Sequence, residues 1–311
     1  MAYLIAMRTL LTLSIALLAL GCGDDLPTRA DTGTGALDGG GSGRDGDIAN
    51  WDSGVGGDGS VTTSCETRAR WVYLVDSDRT LIRFEPDSLT FAEIGTLNCD
   101  MSSQPFSMAV DHNALAWVLY QNGNIYRANT IDARCNPTSF RANQAGFEVF
   151  GMGFVGREDD RENEQLFVAG GSNDGIGSGQ ARLATIDTDT FQLTPTGSML
   201  PGWPELTGTG TEQLWGFFPD TTPPSASRLN PTTGAAEQTF PLNVIPGGSP
   251  RAWAFAFWGG RYYVFLQTDR DDSTNVYRLD PTTGDAELVL ANTGRRIVGA
   301  GVSICAPTDL I

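Results

Sequence analysis

The sequence predicts an all-β fold in which similar four-stranded units follow one another along a single domain. The first observation is that five segments share one form, two β-rich runs around a short turn, with turns at Glu85, Asn129, Asp187, Asn230 and Asp280. The second is that two further short apolar runs precede four of these turns, which gives four strands per repeat. Such repeats describe the blades of a β-propeller. No window has apolar residues sustained at helical spacing, which argues against a helical repeat.

The turn inside each repeat is clearest in the last two copies, which both read Arg-Leu-x-Pro-Thr-Thr-Gly-x-Ala-Glu, starting at Arg228 and at Arg278. Proline fixes φ, the side chain of Asn230 or Asp280 caps the turn, and glycine accepts a positive φ. We therefore predict a tight turn between the third and fourth strands of these units.

The other predicted strands lie upstream of these turns. The pairs are 106–111 with 115–120, 149–155 with 165–170, 204–209 with 213–218, and 251–257 with 261–267.

The two ends of the repeat region complement each other. Only one strand, 70–75, precedes the first turn, and the last strand, 296–304, has no repeat after it. We predict that the C-terminal strand completes the first blade, which closes the ring and removes exposed sheet edges. This arithmetic predicts five blades of four antiparallel strands; six blades would require splitting the repeat at 149–198, whose extra length we interpret as loops.

The N-terminus indicates export. Arg8 precedes an apolar run at 9–20 that is too short to span a bilayer but fits a secretory signal, and Gly21-Cys22 follows at once. This arrangement resembles the bacterial lipoprotein processing site, which implies a signal peptide at 1–21 and an acyl chain such as palmitate on Cys22. The alternative is an ordinary secretory signal with an incidental cysteine. Residues 22–64, rich in Gly and Asp, then form a disordered tether, and 65–311 form the propeller.

The remaining cysteines are Cys65, Cys99, Cys135 and Cys305, which allow three pairings. Export permits disulfides. Ring closure places Cys305 beside Cys65 and leaves Cys99 near Cys135, so we favour the pairs Cys65–Cys305 and Cys99–Cys135. The cysteine spacing has no metal-binding signature, and we predict neither a metal nor a cofactor.

The strand sequence at 107–111 (Ser-Met-Ala-Val-Asp), followed by Ala-Trp-Val at 116–118, and the turn at 277–284 carry a broader resemblance. Over residues 68–304 the chain resembles extracytoplasmic bacterial β-propellers with Tyr-Val-Thr-Asn, NHL-type or lyase-like blades. The resemblance implies the fold and an exported location, and it implies no activity.

The charge and the candidate chemistry exclude several functions. The net charge is −17, which argues against nucleic acid as a partner because its phosphates bind clustered cations.

A Ser-His-Asp site would need His112, the one histidine, which we place in a solvent-exposed turn. Asp111 and Glu205 could form a glycosidase-type pair, but no glycosidase motif accompanies them. We assign no catalytic residue and favour turn and cap roles for these carboxylates.

We interpret the acidic runs at 157–164 and 269–272 as solvated hairpin tips in preference to calcium sites.

The binding surface is predicted at one mouth of the ring, where loops between second and third strands meet the connections between blades. These loops are 76–79, 170–179, 219–225 and 268–273, with connections 101–105, 141–147, 198–203 and 243–251. The predicted ligand contacts within them are Asn173, Asp174, Trp203, Arg251 and Asp271.

We therefore expect a monomeric propeller, tethered to the membrane by its N-terminal lipid, that binds or scaffolds a protein or a glycan. The alternatives are a hydrolase or lyase acting at the central funnel and a purely structural envelope lipoprotein. Gly23, where Asp would signal inner-membrane retention in some bacteria, favours the outer membrane.

Overall fold

The computed structural model describes residues 65–157, 159–176, 181–200 and 202–309. The predicted signal peptide at 1–21, the lipidated Cys22 and the tether at 22–64 lie outside the described residues, so these predictions remain untested. Within the described ranges, no helix has the length and apolar character that crossing a bilayer requires.

The described residues form five antiparallel sheets of four strands, which confirms the predicted all-β propeller of five blades. The innermost strands of the five sheets stand side by side around a central axis. The strands of each blade are given from the axis outward. Blade 1 contains β20 (Ile297–Val302), β1 (Val72–Asp76), β2 (Thr80–Glu85) and β3 (Thr90–Thr96). Blade 2 contains β4 (Pro105–Val110), β5 (Leu115–Tyr120), β6 (Ile125–Asn129) and β7 (Cys135–Pro137). Blade 3 contains β8 (Val149–Arg157), β9 (Asp160–Gly171), β10 (Arg182–Ile186) and β11 (Leu193–Met199). Blade 4 contains β12 (Glu205–Gly208), β13 (Leu214–Phe218), β14 (Ser225–Leu229) and β15 (Ala236–Pro241). Blade 5 contains β16 (Pro250–Trp258), β17 (Arg261–Thr268), β18 (Asn275–Leu279) and β19 (Ala286–Leu290).

The ring closes as predicted. Strand β20 pairs antiparallel with β1, in a register that runs from Val72 opposite Val302 to Asp76 opposite Ile297. The disulfide Cys65–Cys305 joins the two ends of the propeller. The second disulfide, Cys99–Cys135, links the connection after β3 to the outermost strand of blade 2. Both predicted pairings are confirmed.

The apolar core lies between neighbouring blades and is densest near the axis. Strands β1 and β13 are buried along their whole length, since adjacent blades cover both of their faces. Outermost strand β15, by contrast, exposes most of its residues. This gradient explains why the inner strands read as continuous apolar runs, while outer strands carry the polar residues.

Two glycines set how closely β8 and β12 approach. A Cβ atom built on Gly151 would lie 2.5 Å from the Pro204 carbonyl oxygen, and one on Gly208 would overlap the carbonyl of Phe154. Neither position tolerates a larger side chain without a backbone shift. The backbones of these two inner strands therefore touch, which keeps the axis of the ring narrow.

The turns between third and fourth strands form as the sequence predicts. The Asn230 side chain accepts hydrogen bonds from the amides of Thr232 and Thr233, both at 3.0 Å. Gly234 closes this turn with a φ of +74°. Asp280 caps the matching turn of blade 5 through the amide of Thr282 at 2.8 Å.

Blade 3 differs from its prediction in length. Strand β8 extends to Arg157, whereas the predicted strand ends at 155. Strand β9 begins at Asp160, whereas the predicted strand begins at 165. Part of the extra length of this repeat is therefore strand and only part is loop.

Candidate functional site

One end of the ring collects the loops that the sequence analysis places together. All five innermost strands begin at this end, which we call the loop mouth. Backbone hydrogen bonds join the loop after a blade's second strand to the start of its innermost strand in blades 1, 2 and 5. They run from Ser77 to Arg296 at 2.8 Å, from Gln121 to Gln104 at 2.9 Å and from Asp269 to Ser249 at 2.9 Å.

A cavity of about 450 Å³ opens at the loop mouth. Its size lies within the range of roughly 300–1,000 Å³ that is usual for small-molecule sites. All five blades or their connections contribute to its lining, which mixes aromatic, amide and guanidinium side chains. Those that matter most below are Phe106, Gln121, Trp203, Glu205, Arg251, Trp253 and Arg296.

Glu205, the first residue of β12, reaches across the axis to two other blades. Its Oε1 accepts hydrogen bonds from the Ser107 hydroxyl of blade 2 and from the Met152 amide of blade 3, the latter at 3.2 Å. The residue is 2 % exposed, and burial raises the pKa of this carboxyl well above its ordinary value, against the weaker opposing effect of the two hydrogen bonds. Glu205 is thus a buried, hydrogen-bonded carboxyl at the inner end of the cavity.

Two arginines stand at the same mouth. Arg296 donates from Nη2 to the backbone carbonyl of Arg251 at 2.7 Å, which holds its guanidinium beside that strand. Among the described residues, no carboxylate forms an ion pair with either arginine. By contrast, Arg228 and Arg278 on the outer strands each pair with a glutamate. The loop mouth therefore carries two arginines that have no ion-pair partner among the described residues.

Aromatic side chains form the apolar part of the lining. Trp203 is 1 % exposed, and its backbone amide donates to the Asp220 carboxylate at 3.1 Å. Its indole Nε1 is buried and has no hydrogen-bond partner among the described residues. Phe106 and Trp253 are partly buried against the core of the neighbouring blades and border the same cavity.

The structure brings only part of the predicted contact set together. Trp203 and Arg251 line the cavity. Asn173 and Asp174 are not part of its lining and are exposed on a short 3-10 helix, Asn173–Gly175. A role in ligand contact stays a prediction for these four residues.

Asp271 lies in a separate depression between the outer strands of blade 5 and the preceding connection. Its carboxylate accepts hydrogen bonds from the amide of Thr268 at 2.8 Å and from Nδ2 of Asn275 at 2.9 Å. The acidic run at 269–272 thus closes its own hairpin, and a role of Asp271 in ligand contact also stays a prediction.

Sequence reasoning missed Phe106, Trp253 and Arg296 as cavity residues, because it searched the loops and these residues lie at the starts of innermost strands. It considered Glu205 only as half of a catalytic pair. A usable signal existed: the first residues of innermost strands from all blades must meet at one mouth.

The opposite mouth holds a pair that the sequence analysis did not anticipate. Nδ1 of His112 lies 2.8 Å from Oε1 of Glu164, and the His112 backbone amide donates to the same oxygen at 2.9 Å. The expectation of a solvent-exposed histidine was wrong, because the imidazole is only 26 % exposed. The run at 157–164 was also misread at its end, since the Glu164 side chain is 7 % exposed and points inward. The hydrogen bond to Glu164 raises the pKa of His112, and burial raises the pKa of Glu164.

Asp111 and Glu205 do not form a carboxylate pair. Asp111 follows the end of β4 while Glu205 begins β12, and the inner strands run in the same direction, so the two carboxyls lie at opposite mouths. The Asp111 carboxylate also closes its own turn, accepting from the Leu115 amide and the Trp117 indole, both at 2.9 Å. The part of the chain that the structure describes contains no cluster of three or more His, Cys, Asp or Glu side chains that could hold a metal.

No known protein family matches the chain, and no curated protein matches it. A chain from the crystal structure of a nidogen/laminin complex is similar at 16% identity, with 75% of this chain and 80% of that chain covered and a TM-score of 0.45. TolB from Acinetobacter baumannii is similar at 13% identity, with 71% and 52% covered and a TM-score of 0.44. The chain therefore spans about half the length of TolB. A protein of unknown function from Bacteroides caccae is similar at 12% identity, with 74% and 97% covered and a TM-score of 0.41. These likenesses establish neither a family nor an activity for the chain.

Proposed function

We propose that this protein is a membrane-tethered, extracytoplasmic, monomeric β-propeller that binds a protein or glycan ligand at the loop mouth. The observation that carries the proposal is the cavity of about 450 Å³ at the convergence of the five blades, lined by aromatic, amide and guanidinium groups. Mixed apolar and polar linings on a rigid scaffold are typical of binding sites.

The cavity favours binding over catalysis. Acid–base chemistry needs a second positioned titratable group near the first, and Glu205 is the only carboxyl among the described residues of the lining. The other pair with raised pKa values, His112 and Glu164, belongs to the opposite mouth. A group there is out of reach of a ligand held beside Arg251.

The tether rests on the resemblance of the N-terminus to a lipoprotein signal and is supported by the two disulfides, which persist in oxidising compartments. We expect Cys22→Ser to move the protein from membranes to the soluble fraction and to block processing by lipoprotein signal peptidase. Gly23→Asp should redirect it to the inner membrane in bacteria that use this sorting rule. Unchanged membrane partitioning of the Cys22→Ser variant would refute the anchor.

The binding site is tested by comparing two variants for retention of glycans on an array and of envelope proteins after cross-linking. The mouth variant replaces Gln121, Arg251 and Trp253 with alanine, and a matched outer variant replaces Arg228 and Arg278 with alanine. We expect only the mouth variant to lose the ligand that the parent retains, and the melting temperature of each variant checks that it is folded at the assay temperature. Equal retention by the parent and the mouth variant would place function elsewhere on the blades.

A further inference from the structure

We infer that the loop mouth is selective for an acidic glycan, with Arg251 and Arg296 binding a uronic-acid carboxylate and Trp253 and Phe106 packing against the sugar ring. The inference rests on the proposed binding function and names its ligand class.

The charge of the mouth selects an anion. Arg251 and Arg296 both line the cavity and no described carboxylate forms an ion pair with either, although the chain has a net charge of −17. The Arg296 side chain donates to the backbone carbonyl of Arg251, which keeps the two residues close. An anion in the cavity gains a favourable charge interaction with such guanidiniums. A planar carboxylate accepts two parallel N–H bonds from a guanidinium, which gives both strength and direction.

The shape of the mouth favours a glycan over a protein surface. A stable protein interface needs roughly 800 Å² of contact on each partner, which is usually flat. This site is instead a concave cavity of about 450 Å³ with half-buried aromatic walls at Phe106 and Trp253. Aromatic rings of this kind present a flat apolar face on which the C–H face of a sugar ring packs.

The polar groups fit the rest of a sugar. Gln121 lines the same cavity with a side-chain amide that donates to and accepts from hydroxyls. Both hydrogen bonds of Glu205 go to Oε1, so its second carboxyl oxygen is left for a ligand. Because burial raises the pKa of Glu205, the carboxyl stays protonated to higher pH, where it donates to a hydroxyl and does not repel a carboxylate.

The test is isothermal titration calorimetry on the protein as isolated from its producing cell. The probes are trigalacturonate, triguluronate, trimannuronate and a hyaluronan tetrasaccharide, with methyl-esterified trigalacturonate as the neutral match. We expect saturable binding of at least one uronate and binding of the ester that is at least tenfold weaker. Arg251→Gln and Arg296→Gln should each weaken uronate binding about 10- to 100-fold, as for loss of a charge-assisted hydrogen bond. Arg278→Gln, on an outer strand, should bind like the parent.

The inference is overturned if no uronate binds, or if neither esterification nor the arginine substitutions weaken the binding. If a neutral glycan or a protein binds and Trp253→Ala abolishes that binding, the proposed function stands and the acidic-ligand inference fails. If no retained ligand responds to any mouth variant, both fail. Melting temperatures of all variants identify any that lose binding by unfolding.

Discussion

Replacing Glu205 with glutamine is expected to stabilise the protein at neutral pH and to remove part of its pH dependence. Glutamine keeps an Oε1 acceptor for the Ser107 hydroxyl and the Met152 amide, but it carries no charge to bury. In the parent, ionising Glu205 places a negative charge in a site that is 2 % exposed and that no described cation pairs with. The variant resembles the protonated parent at every pH.

The sign follows from proton binding. Below the ordinary pKa of 4.5, both the folded and the unfolded protein are protonated at Glu205, and its contribution to stability is fully present. Above it, the unfolded chain releases the proton while the folded protein, whose pKa is raised, retains it. Stability is therefore lost as pH rises toward and through the folded pKa, at up to about 1.4 kcal/mol per pH unit for one proton.

The assay is urea unfolding monitored by tryptophan fluorescence at intervals from pH 4.5 to 8, for parent and variant. We expect the difference in unfolding free energy to grow with pH in favour of the variant. Glu237→Gln, which alters a glutamate paired with Arg228 at the surface, should leave the parental pH dependence intact. Glu205→Ala should cost about 1–3 kcal/mol, because a buried hydrogen-bonding group loses its partner. A Glu205→Gln profile parallel to that of the parent would refute the reasoning.

Three further predictions concern the disulfide at the ring closure, the opposite mouth and the inner strands. Removing the Cys65–Cys305 bond by Cys305→Ser should cost at most about 5.5 kcal/mol in the chain-entropy model, since the bond spans 240 residues. Denaturant unfolding measures this cost. The imidazole of His112 should have a pKa above 6.5 when titrated by NMR, and Glu164→Gln should lower that pKa. The stability that the raised pKa of His112 contributes is present below pH 6.5 and is lost as pH rises through the folded pKa. Gly208→Ala should destabilise the fold by about 3 kcal/mol or prevent folding, because the added methyl group would overlap backbone of the adjacent inner strand.

Each of the three predictions has a result that would contradict it, and the Gly208 substitution also has a control variant. Gly247→Ala adds a methyl group where nothing lies within 4 Å and should leave stability unchanged; an equal effect at both glycines would contradict the close-approach argument. His112 is the only histidine, so its NMR signal is unambiguous in an untagged protein, and a midpoint insensitive to Glu164→Gln would contradict the pairing. Parental stability of the Cys305→Ser variant would contradict the contribution of the Cys65–Cys305 bond.

The fold could be predicted because its signals are local. The caps at Asn230 and Asp280 act over a few residues, so the sequence shows them directly. Counting all five repeats that contain such a turn gives the number of blades. The closing strand follows from an unpaired run at each end of the repeat region. Neither step requires knowledge of contacts between blades.

The site could be predicted only in outline, because its contacts join different blades. Ser107 and Glu205 are 98 residues apart, and only the narrow ring brings them together. Loop composition selected Trp203 and Arg251, which line the cavity, and also Asp271, whose carboxylate accepts hydrogen bonds within its own hairpin; ligand contact stays a prediction for all three. Glu164 was missed because its strand passes through a charged run with no visible alternation.

The narrow axis also decides what the loop mouth can do. Because the inner strands touch at Gly151 and Gly208, the Glu205 side chain spans from blade 4 to blades 2 and 3. We therefore expect a ligand that enters the loop mouth to stop at this carboxyl. His112 and Glu164 pair with each other at the opposite mouth, so we do not expect them to contact that ligand. The binding that we propose therefore concerns the cavity above Glu205 alone.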